Sequence, residues 1–251
     1  MTSKQSGSDL ERFPDCDGLR KLSSSGGGGS SDDINEAQQF AYDAWDEPDR
    51  TRRNLLARKA LARSPLCADA WLQLSELNNL SDSQRREYLL RAVCAGELAV
   101  GERRFAEAKG DFWLVLDPRP YMRARFALAQ DLWYSCDKGE RIAAIAHLHE
   151  MLDLNPNDNQ GLRYVLLIWL IRSDAYQAAE DLLDMHRDEI SAFMEFTRAA
   201  CLPYARRLRE NARHGGKSLP RQSPHPTLSR PLRALARGFR HLFARTRKRS
   251  S

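Results

Sequence analysis

The stretch A-R-F-A-L-A-Q-D-L-W-Y-S-C-D-K-G-E-R-I-A-A-I-A-H-L-H-E-M-L-D-L-N-P-N-D, residues 124–158, decides the fold. In its first half Leu128 and Leu132 are four residues apart, and in its second half Leu148 and Met151 are three apart. Each pair therefore falls on one face of a helix. The stretch ends on Asn-Pro-Asn-Asp, where proline cannot continue a helix. It predicts two antiparallel helices closed by a turn.

Helical spacing of apolar residues continues on both sides of this stretch, without an alternating strand pattern. The predicted helix pairs are 33–46 with 49–62, 67–78 with 81–100, 119–136 with 139–154, and 159–172 with 174–185. Pro48 separates the first two helices, Ser81 is suited to an N-cap, and Gly101 follows the last apolar residue of its helix.

Helix pairs closed by a proline are typical of tetratricopeptide repeats, whose period is about 34 residues. Residues 119–158 fit this pattern best, with about three extra residues at the turn between the helices. The first two units keep little beyond Pro65, Trp71 and the helical spacing. We expect an all-α fold, a tetratricopeptide-like right-handed stack of antiparallel helix pairs with about four repeats and disordered termini. A simple helical bundle is the alternative.

Three segments differ in composition. Residues 1–31 contain S-S-S-G-G-G-G-S-S and predict a disordered arm, whereas 32–201 would form the repeat domain. The basic tail, 202–251, holds 14 Lys and Arg against the single acid Glu210, and the rest of the chain holds 25 against 33 Asp and Glu. The sequence has neither a secretory signal pattern nor an apolar run long enough to span a bilayer, so we expect a cytoplasmic protein.

Reactive side chains do not form a recognisable chemical motif. The five cysteines are odd in number and include no C-x-x-C pair, so we expect core thiols and neither a disulfide framework nor a zinc site. His147 and His149 are two residues apart and would point in different directions on a helix. No serine lies in a G-x-S-x-G turn. We therefore expect no enzyme, no catalytic residue, no metal and no cofactor.

Four strings occur in order along the chain: A-Y-D-A-W-D-E-P-D (41–49), R-K-A-L-A-R-S-P-L-C-A-D-A (58–70), F-W-L-V-L-D-P-R-P-Y-M-R-A-R (112–125) and L-N-P-N-D-N-Q-G-L-R-Y (154–164). Together they resemble the suppression of tumorigenicity seven family, and most of all its bacterial branch of tetratricopeptide proteins. The resemblance covers about residues 37–198. It implies a helical-repeat fold and protein contacts, and it supplies no catalytic residue or cofactor. The membrane location of the animal branch is not carried over.

The chain departs from that family near Cys201, where similar proteins continue into another helix pair. The composition of 202–251 leaves two alternatives open, a native basic tail and a gene read in a shifted frame. In a native tail, 231–249 has apolar residues at helical spacing among arginines, which predicts an amphipathic basic helix. Such a helix would bind an anionic membrane surface or nucleic acid, which is our alternative function.

In a stack of helix pairs, the first helices form an inner wall that is the natural binding surface. We therefore expect a non-catalytic adaptor or scaffold that binds a protein segment in this groove, and the oligomeric state stays open. The predicted groove residues are Asp69, Leu72, Glu76, Arg123, Phe126, Gln130, Tyr134, Gln160, Arg163 and Leu167.

Two of these groove residues, Arg123 and Arg163, occupy comparable positions on successive first helices. Two guanidinium groups facing one cavity would bind an acidic side chain or a C-terminal carboxylate through paired N–H donors. The alternative is that both arginines form ion pairs with acids such as Asp131 or Asp158 and join neighbouring repeats. The sequence leaves both interpretations open.

Overall fold

A computed structural model describes residues 13–25, 29–108, 110–199 and 201. All regular secondary structure among these residues is α-helical, as the apolar spacing predicts. The described chain divides into two compact units, the first ending at Gln160 and the second beginning at Gly161. Residues 1–12 and 26–28, for which the sequence predicts disorder, lie outside the described residues. The tail 202–251, with its predicted helix 231–249, also lies outside them.

The first unit contains seven helices among its described residues: α1 (Cys16–Ser24), α2 (Ser31–Asp46), α3 (Arg50–Arg63), α4 (Ala68–Leu74), α5 (Asp82–Glu107), α6 (Arg119–Tyr134) and α7 (Lys138–Leu154). The second unit contains α8 (Leu162–Arg172), α9 (Tyr176–Met185) and a helical segment over 192–199. From α2 to α9 these are the eight helices that the sequence predicts. The described residues include no helix long and apolar enough to cross a membrane.

Local chemistry explains where several helices begin. The hydroxyl of Ser81 accepts a hydrogen bond from the backbone N–H of Gln84, and the Gln84 side chain accepts one from the N–H of Ser81. This capping box confirms Ser81 as an N-cap. Pro120 lies in the first turn of α6, where its missing N–H leaves no gap in the helix.

The long helix α5 bends at Gly101, whose φ of 71° and ψ of 156° are not helical. Glycine reaches this region without a steric penalty because it has no Cβ. The sequence predicts the end of the helix here, and the structure instead continues with another short helical segment to Glu107.

The first unit is a series of helical hairpins, α2 with α3, α4 with α5 and α6 with α7. The second helix of one hairpin packs on the first helix of the next, α3 on α4 and α5 on α6. The first helices also adjoin, because α4 contacts both α2 and α6. Close approach of α5 and α6 requires Gly96, since a Cβ there would lie 2.8 Å from the Cα of Tyr121.

Helix α1 lies within the arm that the sequence predicts to be disordered. Leu19 is fully buried, and the ring of Phe13 packs edge-on against Trp71 with 5.8 Å between centroids. Arg91 of α5 also donates a hydrogen bond to the backbone carbonyl of Phe13. The low apolar content of the arm suggested disorder, but these two side chains reach apolar surface of the helical hairpins and order residues 13–25.

The second unit has its own small core. Helix α8 buries Leu166, Leu167 and Trp169, and α9 packs against it with Leu182 and Leu183. The segment 192–199 adds a buried methionine and threonine. The helix pair predicted at 159–172 and 174–185 is therefore present as α8 and α9.

Candidate functional site

The side chains that connect the three first helices of the first unit form a polar–aromatic cluster. Helix α2 contributes Gln38, Tyr42 and Trp45, α4 contributes Asp69, and α6 contributes Arg123. The three α2 residues are spaced at i, i+4 and i+7 and thus share one helix face. The cluster lies where the repeat arrangement would present a groove.

Asp69 is the centre of the cluster and is fully buried. Its Oδ1 accepts a hydrogen bond of 3.0 Å from Nε of Arg123, and its Oδ2 accepts a second from the same guanidinium group. Nε2 of Gln38 donates to Oδ2 at 2.6 Å. A buried carboxylate needs such partners, because leaving it unpaired is costly. Asp69 is consequently a structural anion and is not available to a ligand.

Arg123 is the cationic partner, and its side chain is 24% exposed. Its Cζ lies 4.8 Å from the ring centroid of Trp45, close enough for a cation–π contact. Burial disfavours its charged form, but the charge and hydrogen bonds of Asp69, with a contribution from Tyr42, raise the pKa of Arg123 above its usual value. The guanidinium group therefore stays charged and is neutralised within the fold.

The structure distributes the remaining predicted groove residues of the first unit between core and surface. Leu72 and Phe126 are buried, because α4 and α6 are each flanked by several helices. Glu76 is exposed beyond α4, which ends at Leu74 and not at the predicted position 78. Gln130 is half-buried and Tyr134 is 64% exposed, so they are the more accessible groove candidates on α6.

The last three predicted groove residues lie around the start of the second unit. Gln160 is half-buried at the end of the first unit, and Leu167 is fully buried and faces the core of the second. Nε of Arg163 donates to Glu189 at 2.7 Å, and a second guanidinium nitrogen donates to the hydroxyl of Tyr164 at 3.1 Å. Arg163 is therefore part of an internal network.

Both arginines of the predicted carboxylate clamp thus have an intramolecular acidic partner, Asp69 for Arg123 and Glu189 for Arg163. They also belong to different compact units. These contacts favour the alternative in which the arginines stabilise the fold, although the acids differ from the two that we expected. Of those two, Asp131 accepts hydrogen bonds from Arg85 and Arg86.

This second ion-pair network joins α5, α6 and α7. Besides contacting Asp131, Arg86 donates to both carboxylate oxygens of Glu140 at 2.9 and 3.2 Å. Hydrogen bonds from Arg86 and Ser135 lower the pKa of Glu140 to about 2. The network holds the hairpin α6–α7 against the preceding helix and leaves Asp131 almost no contact with solvent.

His147, one of the two histidines of α7, takes part in a similar structural contact. Nε of Arg125 donates to Nδ1 of His147 at 3.2 Å, and another nitrogen of Arg125 donates to the hydroxyl of Tyr121 at 2.7 Å. Burial, followed by the charge of Arg125, lowers the pKa of His147. Among the described residues, no group of three or more His, Cys, Asp or Glu side chains is placed to hold a metal ion.

The expectation of core thiols is confirmed for Cys67, Cys94 and Cys201, which are buried. Cys136 is exposed and Cys16 is half-buried, so the expectation of core thiols is wrong for these two. All five are free thiols.

No protein-family model, curated protein sequence or solved structure matches this chain.

Sequence reasoning missed the contribution of α2 to the candidate groove. The sequence signal for Gln38, Tyr42 and Trp45 is their spacing of i, i+4 and i+7, which places them on a common helix face. Sequence reasoning also missed the thiol pair of Cys16 and Cys94, because residues 78 positions apart carry no local signal of contact.

Proposed function

We propose that this chain is a non-catalytic adaptor or scaffold that binds a protein segment along its first helices, in a tetratricopeptide-like stack. The supporting observation is the packing order of the first unit. Helix α4 lies between α2 and α6, while α3 packs on α4 and α5 packs on α6. This order sets successive first helices side by side, which is the arrangement that forms the inner wall of helical-repeat proteins.

The exposed chemistry of this wall favours an apolar or aromatic anchor in the partner over a carboxylate. Tyr42 and Tyr134 expose 38% and 64% of their surfaces, and aromatic side chains are common at the centres of protein interfaces. Gln130 offers an amide that both donates and accepts hydrogen bonds. By contrast, the charge of Arg123 is already paired with Asp69. An acidic side chain or a C-terminal carboxylate would have to compete with Asp69 for the guanidinium group of Arg123.

We also propose that the chain belongs to the suppression of tumorigenicity seven family that its sequence resembles. Several residues of the string R-P-Y-M-R-A-R have structural roles, since Arg119 donates to the carbonyl of Trp113, Arg123 to Asp69, and Arg125 to Tyr121. Arg123 thereby joins α6 to α4, and Arg125 also joins α6 to α7 through His147. Residues that hold helices together are expected to be shared. The resemblance therefore supports a common fold more strongly than a common partner.

Site-specific photo-crosslinking tests the adaptor proposal. A photoreactive amino acid is placed in the full chain at Gln130 or Tyr134 on α6, and at exposed Ala146 on α7 as the matched control. We expect one partner protein to cross-link from the two α6 positions and not from α7. Cross-links from Ala146 that equal those from Tyr134, or cross-links from Ala146 alone, would contradict binding along the first helices.

The charge of the tail motivates a second candidate function, binding to an anionic membrane or to nucleic acid. Residues 202–251 carry 14 Lys and Arg and one acid, so attraction to an anionic surface should weaken with salt. Deletion of 202–251 should abolish salt-sensitive binding to anionic vesicles or to duplex DNA, and it should leave the cross-links from Tyr134 intact. Binding that survives the deletion would reject the tail as the attachment site.

A further inference from the structure

Two cysteines from distant parts of the chain meet where α1 packs on α5. Cys16 is the first residue of α1, and Cys94 lies in the middle of α5. The Cys94 thiol donates a hydrogen bond of 3.6 Å to the backbone carbonyl oxygen of Cys16, so the two cysteines are in contact. Of the five free cysteines, Cys94 is buried and Cys16 is half-buried, so one member of the pair remains accessible from solvent.

The surroundings assign a different role to each thiol. Interaction with the Cys94 side chain lowers the pKa of Cys16 to about 7, against the opposing effects of burial and of Glu87, and Arg20 and Arg91 contribute in the lowering direction. The position of Cys16 at the start of α1 also favours its thiolate form. The same interaction, together with burial, raises the pKa of Cys94. Cys16 is thus the nucleophile, and Cys94 is the hydrogen-bond donor.

We propose that Cys16 and Cys94 form an oxidation site, at which a hydroperoxide converts the two thiols into a disulfide that links α1 to α5. An accessible thiolate beside a second, less acidic thiol is the arrangement that redox-sensitive cysteines require. The other cysteines do not share it, because Cys67 and Cys201 are buried and Cys136 is exposed without a described thiol neighbour.

The reaction balances with hydrogen peroxide as the oxidant. The Cys16 thiolate attacks one peroxide oxygen, the O–O bond breaks, and the leaving hydroxide takes up a proton to give water and a sulfenic acid on Cys16. Cys94 then attacks the sulfenic sulfur as its own proton leaves with the hydroxyl group, which gives the disulfide and a second water. The two thiols are oxidised by two electrons, and one peroxide is reduced to two waters.

The disulfide would change how firmly the N-terminal helix is held. In the reduced protein α1 is attached by Leu19, by the contact of Phe13 with Trp71, and by the hydrogen bond from Arg91 to Phe13. A covalent link at its first residue would prevent α1 from leaving α5. Oxidation would thereby fix a segment that is otherwise held by noncovalent contacts.

Peptide mapping of the full chain tests the proposal. The reduced protein is treated with hydrogen peroxide, remaining thiols are alkylated, and the tryptic peptides F-P-D-C-D-G-L-R (13–20) and A-V-C-A-G-E-L-A-V-G-E-R (92–103) are analysed. We expect these two peptides joined, lighter by two hydrogen atoms than their sum, and separated again by dithiothreitol. Persistence of both peptides in alkylated form after Cys136 has been oxidised would overturn the proposal.

Two variants keep the result independent of folding defects. The Cys136→Ser chain should form the same cross-link, whereas the Cys94→Ala chain should accumulate a sulfenic acid on Cys16 that dimedone traps. In the Cys94→Ala chain the pH of half-maximal Cys16 alkylation should also move upward from about 7, because the interaction with the Cys94 side chain is lost. An unchanged alkylation profile, or a cross-link between Cys16 and Cys136, would show that Cys94 is not the partner of Cys16.

Discussion

Replacing Arg123 with methionine removes the cation that neutralises buried Asp69 while retaining a side chain of similar length. In the folded protein Asp69 would then keep only the 2.6 Å hydrogen bond from Gln38. Its carboxylate is fully buried, so water cannot replace the two lost guanidinium bonds. We expect Arg123→Met to be among the most destabilising single changes in the first unit.

The magnitude follows from the burial of the pair. Removal of one partner from a buried ion pair costs about 3–5 kcal/mol, and we take about 3 kcal/mol because Gln38 remains and Arg123 is partly exposed. For a chain of this size that corresponds to a fall in melting temperature of about 6–12 °C. The isosteric change Asp69→Asn should cost about 2 kcal/mol, since it keeps a carbonyl acceptor but loses the charge.

Urea denaturation, followed by circular dichroism and tryptophan fluorescence, measures these changes. The double variant, which combines Asp69→Asn with Arg123→Met, leaves no buried charge and should lose about 3 kcal/mol rather than the sum of about 5 kcal/mol. A loss below about 1 kcal/mol for Arg123→Met, or strict additivity in the double variant, would refute the reasoning. Arg123 could then exchange Asp69 for a carboxylate ligand with little loss of folding free energy.

Three further changes test other contacts. Because burial lowers the pKa of His147, its neutral form stabilises the protein above about pH 6.5. This contribution is lost as the pH falls toward the pKa of His147 in the folded protein. His147→Gln should therefore remove that part of the pH dependence of the unfolding free energy. Gly96→Ala places a Cβ 2.8 Å from the backbone of Tyr121 and should cost about 1–2 kcal/mol in thermal or urea denaturation. Ser81→Ala removes the capping box of α5 and should cost about 1 kcal/mol in the same assay.

Each of these changes has a control or a contradicting result. His149→Gln alters the exposed neighbour on α7 and should leave the acid-side loss of stability in place. An unchanged or raised melting temperature for Gly96→Ala would show that α5 and α6 do not approach as closely as described. Thr51→Ala changes an exposed hydroxyl in the first turn of α3, and an equal loss from this variant and from Ser81→Ala would argue against the cap.

Helix positions were largely predictable because they depend on local chemistry. The helix predicted at 49–62 is α3, Arg50–Arg63, where the carboxylate of Asp49 accepts from the N–H of Arg52 at the start. One error in a helix boundary is also local. The helix predicted from 159 begins at Leu162, because Asp158 and Gly161 adopt positive φ values of 47° and 72° that extend the turn.

The candidate site was less predictable than the helices. Of the groove residues that the sequence predicts on α4 and α6, Tyr134 lies at the surface, whereas Leu72 and Phe126 are buried. Helical spacing reveals which residues share a face. It does not reveal whether a neighbouring helix covers that face.

By itself, the amino-acid sequence determined the all-α class, the helix pairs and most helix ends, because apolar spacing, caps and prolines act over a few residues. Only the tertiary structure decided that Asp69 pairs with Arg123, 54 residues away, and that Cys16 meets Cys94 across 78 residues. Such contacts depend on how complete helices pack, and that packing is the sum of many small contacts spread along the chain. The same packing brings α1 out of the predicted disorder, because its two apolar side chains are stabilised only by surface that the later helices provide.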